Sequence, residues 1–312
     1  MVIPHFTRFM RTAIAAVSAF TLLAGGAVVA QASSQPQTWT VRVGAQSANQ
    51  AIQGMAYLPG DVYIHAGDTV HWVANSAEPH TVTFLAPGQT LPAFNPGDPA
   101  QLFRTGGDVY DPASYFNSGI LATVEDSLPI LPDYSLTFPD AGTFDYWCLI
   151  HGTMQHGIVH VTSADAPLPY TQVDYDRAAQ QSTHEMVVDG NALQGQAMRN
   201  ADGHTVIMGA DDGVAMVMRF LRPTLVVHVG ESVTFLNDGM GAPHTVTFGE
   251  EPANFAIPVG DRSNYTGGDL NSGIVPPFGG EYTVTFNQAG TFTYVCALHD
   301  YMGMVGTIIV RP

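Results

Sequence analysis

The 312-residue sequence contains no lysine and only two cysteines, and charged residues of every kind make up just 12% of it. Its ten basic residues are all arginines and are set against 27 aspartates and glutamates, for a formal charge of −17. So acidic a chain is repelled by phosphate backbones, which argues against nucleic acid as a partner. Cys148 and Cys296 are too few for a disulfide-knit scaffold and would give at most one bridge in an oxidising compartment. Long apolar runs are missing too, apart from Ala13 to Ala30. That run follows Arg8 and Arg11 and ends in the small-residue pattern Ala30-Gln31-Ala32, so residues 1–32 read as a secretory signal peptide. Its removal deletes both arginines and takes the formal charge to −19. The mature chain is then expected to carry no integral membrane domain and to work outside the cytoplasm, in a periplasm or extracellularly.

What the sequence does contain is written twice. Residues 38–162 recur over 204–312, a period too long for a solenoid, and 312 residues suffice for two domains with cores of their own. Pro79-His80-Thr81-Val82-Thr83-Phe84 returns unchanged as Pro243-His244-Thr245-Val246-Thr247-Phe248, and Asn117-Ser118-Gly119-Ile120 returns as Asn271-Ser272-Gly273-Ile274. Near the end of each half, Ala-Gly-Thr-Phe (141–144 and 289–292) leads into Tyr146-Trp147-Cys148-Leu149-Ile150-His151 or Tyr294-Val295-Cys296-Ala297-Leu298-His299. Runs such as Trp39-Thr40-Val41-Arg42-Val43 and Tyr282-Thr283-Val284-Thr285-Phe286 alternate with period two and are rich in β-branched and aromatic residues. The chain therefore reads as all-β, with two tandem antiparallel β-sandwiches. Between them, residues 163–203 begin with Pro167 and Pro169, lose the alternation, and permit a short helix around Asp176 to Gln181, which makes a partly helical connector.

Each half keeps one cysteine and two matched histidines. A copper ion that cycles between two oxidation states needs a soft thiolate, imidazoles that suit both states, and a weak axial donor. His80 ends a predicted strand, while Cys148 and His151 stand as C-x-x-H on the turn before the last strand, so all three meet at one end of a sandwich. His244, Cys296 and His299 repeat the arrangement. These two matched patterns make an interdomain disulfide the weaker reading of the cysteines.

In these residues the chain resembles the cupredoxin, or type 1 blue-copper, family over most of both halves. The resemblance implies two Greek-key sandwiches, copper as cofactor with one type 1 ion per domain, and one-electron exchange with partner redox proteins. In the plastocyanin and pseudoazurin branch the axial Met lies five residues after the second His, a position that Met304 occupies relative to His299. The N-terminal loop His151-Gly152-Thr153-Met154-Gln155-His156-Gly157 departs from that spacing. Met154 has the amicyanin-like offset and is the expected axial ligand, with Gln155, which stands opposite Met304 when counted back from Gly157, and His156 as alternatives. An axial Gln or His would lower the potential of that site relative to a Met site. Met302 reads as packing beside the copper.

Two other functions share these ligands. Two-domain nitrite reductases and laccases are built from cupredoxin repeats but need additional histidine-only copper, which would have to come from His65, His156, His160 or His228 meeting across an interface. The H-x-H pairs and H-C-H triplet of multicopper oxidases are absent. Copper storage or delivery would use the same donors. His65 and His228 themselves read as surface-facing strand residues. The acidity points to a basic face on the redox partner or to a salt-rich habitat, and leaves an oligomer open.

Overall fold

The structure, a computed structural model, describes residues 35–124 and 129–312, so the expected signal peptide at 1–32 lies outside the described residues. Alternation sets one face of each strand inward. Trp39, Val41 and Val43 of the strand Thr38–Gln46 are buried, as are Val70 and Trp72 of Thr69–Ala74 and Val233 and Phe235 of Ser232–Asn237. In the first half, Thr38–Gln46, Ile52–Leu58, Thr69–Ala74 and Asp133–Thr137 make one layer. Asp61–His65, Thr83–Phe84, Phe116–Asn117, Gly142–Cys148 and Gly152–Thr162 make the other. The second half repeats both layers with its own strands. The protein is all-β apart from its helices, as the period-two pattern requires.

Strand direction differs from the antiparallel expectation. Thr38–Gln46 runs parallel to Thr69–Ala74, and Asp61–His65 parallel to Gly152–Thr162, and the second half has the same two parallel pairs. Side-chain alternation is identical in parallel and antiparallel strands, so the pattern in the sequence is silent about direction.

Aromatic clusters fill both sandwiches at matched positions. Trp72, Phe84, Phe138 and Tyr146 pack together in the first, and Phe235, Phe248, Phe286 and Tyr294 in the second. The buried Asp68 carboxylate ties the opening strand to its turn. It accepts the Gln37 N–H at 2.7 Å, the Trp39 indole N–H at 2.8 Å and the His65 N–H at 2.9 Å. Removing a charged acceptor that serves buried donors leaves them unsatisfied, so Asp68→Ala should cost about 3 kcal/mol in urea unfolding. An effect within experimental error would show that those donors find water instead.

The two halves share one sheet. Ala215–Leu221 pairs antiparallel with Ile52–Leu58, with Ala215 opposite Gly54, Met216 opposite Gln53 and Val217 opposite Ile52. Each strand thus covers an edge that its own half leaves open, and the result is one eight-stranded sheet. The side chains of Met55, Ala77, Met216, Met218, Ala242 and Met302 fill this seam.

The connector is more helical than the sequence indicates: a single helix of 29 residues, Gln172–Asn200, opens on a capping box in which the side chains of Thr171 and Asp174 satisfy each other's backbone N–H. It lies on the shared sheet and buries Tyr175, Ala179 and Met186. A Cβ at Gly54 would fall 2.6 Å from Met186 Sδ, so that glycine lets the helix approach. With Gly190, Gly195 and Val187-Val188 inside it, the segment has no clear helical period, and burial against strands from both halves sustains it.

Candidate metal centres

Each half builds a pocket by bringing two distant segments together. His80 and His244 follow loops fixed by asparagines: Asn75 Nδ2 donates to Gly44 O at 3.0 Å, and Asn237 Nδ2 to Ala242 O at 3.0 Å. The opening strand of each half bulges just where the imidazole arrives, at Gly44 (φ 77°) and Gly209 (φ 78°). A Cβ there would stand 2.5 Å from His80 Nε2 or 2.9 Å from His244 Nε2, so both positions need glycine for space as well as for backbone conformation.

His80, Cys148 and His151 converge at one end of the first sandwich, and His244, Cys296 and His299 at one end of the second. In each group the three residues offer one ligand atom apiece within 4.8 Å of one another. Cys148 Sγ is 3.4 Å from His151 Nδ1, and the Thr81 N–H donates to the sulfur at 3.3 Å. Cys296 Sγ stands 3.4 Å from His299 Nδ1 and 3.7 Å from His244 Nδ1, and Thr245 repeats the N–H contact at 3.3 Å. Behind each sulfur runs a hydroxyl chain, Thr81, Thr83 and Asn117 or Thr245, Thr247 and Asn271, that also anchors the residue after the cysteine. Repetition of Asn-Ser-Gly-Ile is explained by that anchorage. Both cysteines are free, so no bridge joins them.

The electrostatics suit a cation. Burial alone would raise the Cys148 thiol, but the charge and hydrogen bond of His151, with His80 behind them, hold it well below its ordinary value. His151 pays for burial as well, yet the adjacent thiolate and Glu78 push it up to about 10. Cys296 is likewise depressed against burial by the charge of His299 and the hydrogen bond of His244. His80 Nε2 lies 2.9 Å from Ser76 Oγ, which turns Nδ1 toward the pocket.

Gln155, and not Met154 with its amicyanin-like spacing, faces the two imidazoles of the first pocket. Gln155 Oε1 stands 2.7 Å from His80 Nδ1 and 3.0 Å from His151 Nδ1. Gln155 Oε1 thus faces the same pocket as the Nδ1 atoms of both imidazoles. Met154, the expected axial ligand, is corrected: it is 37% exposed and its thioether packs at Gly213 and Gly241 of the other half. The physical reason is the pleat. The strand Gly152–Thr162 already runs through this loop, so Gln155 shares the inward face with Val159 and Val161 while Met154 and His156 point out. His156 binds Asp145 at 2.7 Å and stacks on Trp147. In the second half Met304 is fully buried with Cys296, and Met302, also buried, lies in the seam between the halves.

The four histidines that a histidine-only copper site would need each stand beside a different carboxylate: His65 beside Asp68, His156 beside Asp145, His160 beside Asp61 and His228 beside Glu231. His65 also bonds Ala166 O at 2.8 Å and is half-buried, whereas His228 is exposed as a surface strand residue should be. One participant escaped sequence reading. Glu78 is buried two residues before His80, and its Oε1 lies 3.4 Å from His151 Nε2. The available signal was its lack of a partner in the repeat, where Ala242 stands.

Fold and pocket together define a tandem cupredoxin, a β-sandwich protein whose thiolate and imidazoles suit copper. Residues 204–311 match the model of the plastocyanin/azurin family of copper-binding proteins. Plastocyanin of Solanum tuberosum is 36% identical over 107 residues, which cover 34% of this chain and 98% of the relative. Chloroplastic plastocyanin of Solanum lycopersicum is 35% identical over 113 residues, and there the match spans 36% of this chain and 61% of the relative. An amicyanin variant in its Cu(I) form is similar to 37% of this chain over 89% of its own length, with 28% identity and a TM-score of 0.25. The chain belongs to the plastocyanin/azurin family of cupredoxins, and its cofactor is copper.

Proposed function

We propose that the protein is an exported one-electron carrier with one type 1 copper in each half. His80, Cys148, His151 and Gln155 hold the first ion, and His244, Cys296, His299 and Met304 the second. When bound, copper supplies a one-electron couple between Cu(I) and Cu(II). The chain's part is to fix the donors and keep water out.

The observation that carries this reading is closure: none of these eight residues is more than 6% exposed. Sealed, pre-organised donors change little when an electron arrives, and they leave no room for a substrate to bind the metal. Export rests on residues 1–32, and among the described residues no helix is long and apolar enough to cross a membrane. An acidic carrier of this kind would meet a basic partner and exchange electrons more slowly as salt is added.

Copper analysis with an absorption spectrum tests the proposal, the expectation being two coppers per chain and an intense blue colour when oxidised. A pale, fully loaded protein would refute it. The unlike fourth donors predict two potentials, the Gln155 site being the lower. Gln155→Met should raise that lower potential by about 60 mV or more, the equivalent of a tenfold change in preference for Cu(I) in a one-electron couple. Two indistinguishable midpoints in the parent protein would refute the assignment of unlike fourth donors.

A further inference from the structure

The aromatic cores of the two halves match in shape but not in chemistry. Strand register puts Phe220 where Tyr57 stands, Phe235 where Trp72 stands, Tyr294 where Tyr146 stands and Tyr282 where Tyr134 stands. The rings keep their places: centroids lie 4.6 Å apart for Tyr57 and Tyr146 and 4.7 Å for Phe220 and Tyr294. Trp72 and Tyr146 are 5.3 Å apart, and Phe235 and Tyr294 5.0 Å. Phenylalanine thus meets the packing demand at both positions. The first half instead takes a phenol and an indole into its interior. Trp72 Nε1 and the hydroxyls of Tyr146 and Tyr134 are buried without a hydrogen bond of ordinary geometry, a desolvation cost that packing does not explain.

These side chains form a continuous line. At one end the Tyr57 hydroxyl donates to Thr81 O, and the Thr81 N–H donates to Cys148 Sγ at 3.3 Å. Tyr57 leans on Tyr146, Tyr146 meets the edge of Trp72, and Trp72 stacks on Tyr134 at 5.8 Å. At the other end Tyr134 lines an open cavity of about 490 Å³ beside Arg104, whose guanidinium lies 5.2 Å from its ring. The line therefore runs from the thiolate of the first centre through the sandwich to its surface. Indoles and phenols release an electron far more readily than a phenyl ring, so Phe220 and Phe235 interrupt the same line in the second half. A phenol must also shed its proton when oxidised, and Tyr146 and Tyr134 have no acceptor for it. The indole can lose an electron and keep its proton.

We infer that Trp72 is a redox relay of the first centre, the station through which an electron passes from Cu(I) at Cys148 to a one-electron oxidant at the Tyr134 cavity. This rests on the copper reading above. The oxidant takes one electron from Trp72, which becomes a radical cation and keeps its Nε1 proton. The indole then regains an electron from Cu(I) by way of Cys148, Tyr57 and Tyr146, leaving Cu(II). One electron leaves the metal and one reaches the oxidant, with no bond made or broken. The two centres then differ in their exits as well as in their fourth donors.

Flash-generated tris(bipyridine)ruthenium(III) serves as the oxidant in the test. The full chain carries Trp39→Phe and Trp147→Phe, which leaves Trp72 as the one indole of the three. In metal-free protein an indole radical cation should form, and Trp72→Phe should abolish it. With Cu(I) in the first centre alone, in a Cys296→Ser background, the radical should decay about tenfold faster or more, a barrier lower by ~1.4 kcal/mol. Blue Cu(II) absorption should rise in step with that decay. With Cu(I) in the second centre alone, in a Cys148→Ser background, the decay should keep its metal-free rate. Tyr57→Phe, which installs the residue found at position 220, should slow the copper-coupled decay and serves as the check if Trp72→Phe does not fold. No radical in metal-free protein, equal decay with Cu(I) in either centre, or a blue rise unchanged by these two substitutions would overturn the inference. A chain that takes up no Cu(I) would instead refute the copper reading, and the metal-free radical would still report whether Trp72 is oxidised from the surface.

Discussion

Cys148→Ser is expected to remove one copper and about half of the blue absorption while the C-terminal centre keeps its potential, and Cys296→Ser should do the reverse. The thiolate is the one soft anionic donor in each pocket, and a serine hydroxyl, hard and uncharged near neutral pH, replaces neither its charge nor its affinity for Cu(I). Each cysteine bonds only within its own half: Thr81 N–H and His151 serve Cys148, and Thr245 N–H, His244 and His299 serve Cys296. Metal analysis and spectra of both single variants, together with the colourless double variant, check this. If both centres vanished in either single variant, the pockets would not be separate ligand sets.

Trp72→Ala is expected to cause the largest loss of stability, about 3–5 kcal/mol in urea unfolding. Trp72 is fully buried and meets four aromatic rings, with centroids at 5.9 Å for Phe84, 5.8 Å for Tyr134, 6.4 Å for Phe138 and 5.3 Å for Tyr146. Tyr146 lies on the strand that delivers Cys148, so the cavity also loosens the first pocket. Because Ile52–Leu58 and Ala215–Leu221 pair in one sheet under one helix, both halves should unfold in a single transition that shifts as a unit. Two transitions, with only the first displaced, would show that the seam adds little cooperativity.

The gap between Met154 and Gln155 shows what one-dimensional spacing conveys. Counting forward from His151 selects Met154; counting back from Gly157, as from Gly306 to Met304, selects Gln155. The choice depends on where the extended strand begins, and in the first half it begins at Gly152, which puts alternate residues on opposite faces. In the second half a short helical turn, Asp300–Met302, intervenes and carries Met304 inward. Glu78 is harder still, because its place in the pocket depends on His151, which is distant in the chain. The long helix left a weak trace because its sequence lacks a regular apolar stripe and depends on the sheet beneath it.

By itself the sequence determined the all-β class, the duplication, and the thiolate and imidazole donors of both centres. Those features follow from local rules, since strand alternation and the C-x-x-H spacing act over a few residues, and the repeat preserved both. Tertiary structure alone decided the strand directions, the union of the two first layers in one sheet, the inward turn of Gln155 and the placement of Glu78 against His151. Each of these depends on which surfaces meet when residues far apart in the chain are packed, and packing energy is a property of the pair that no single segment carries.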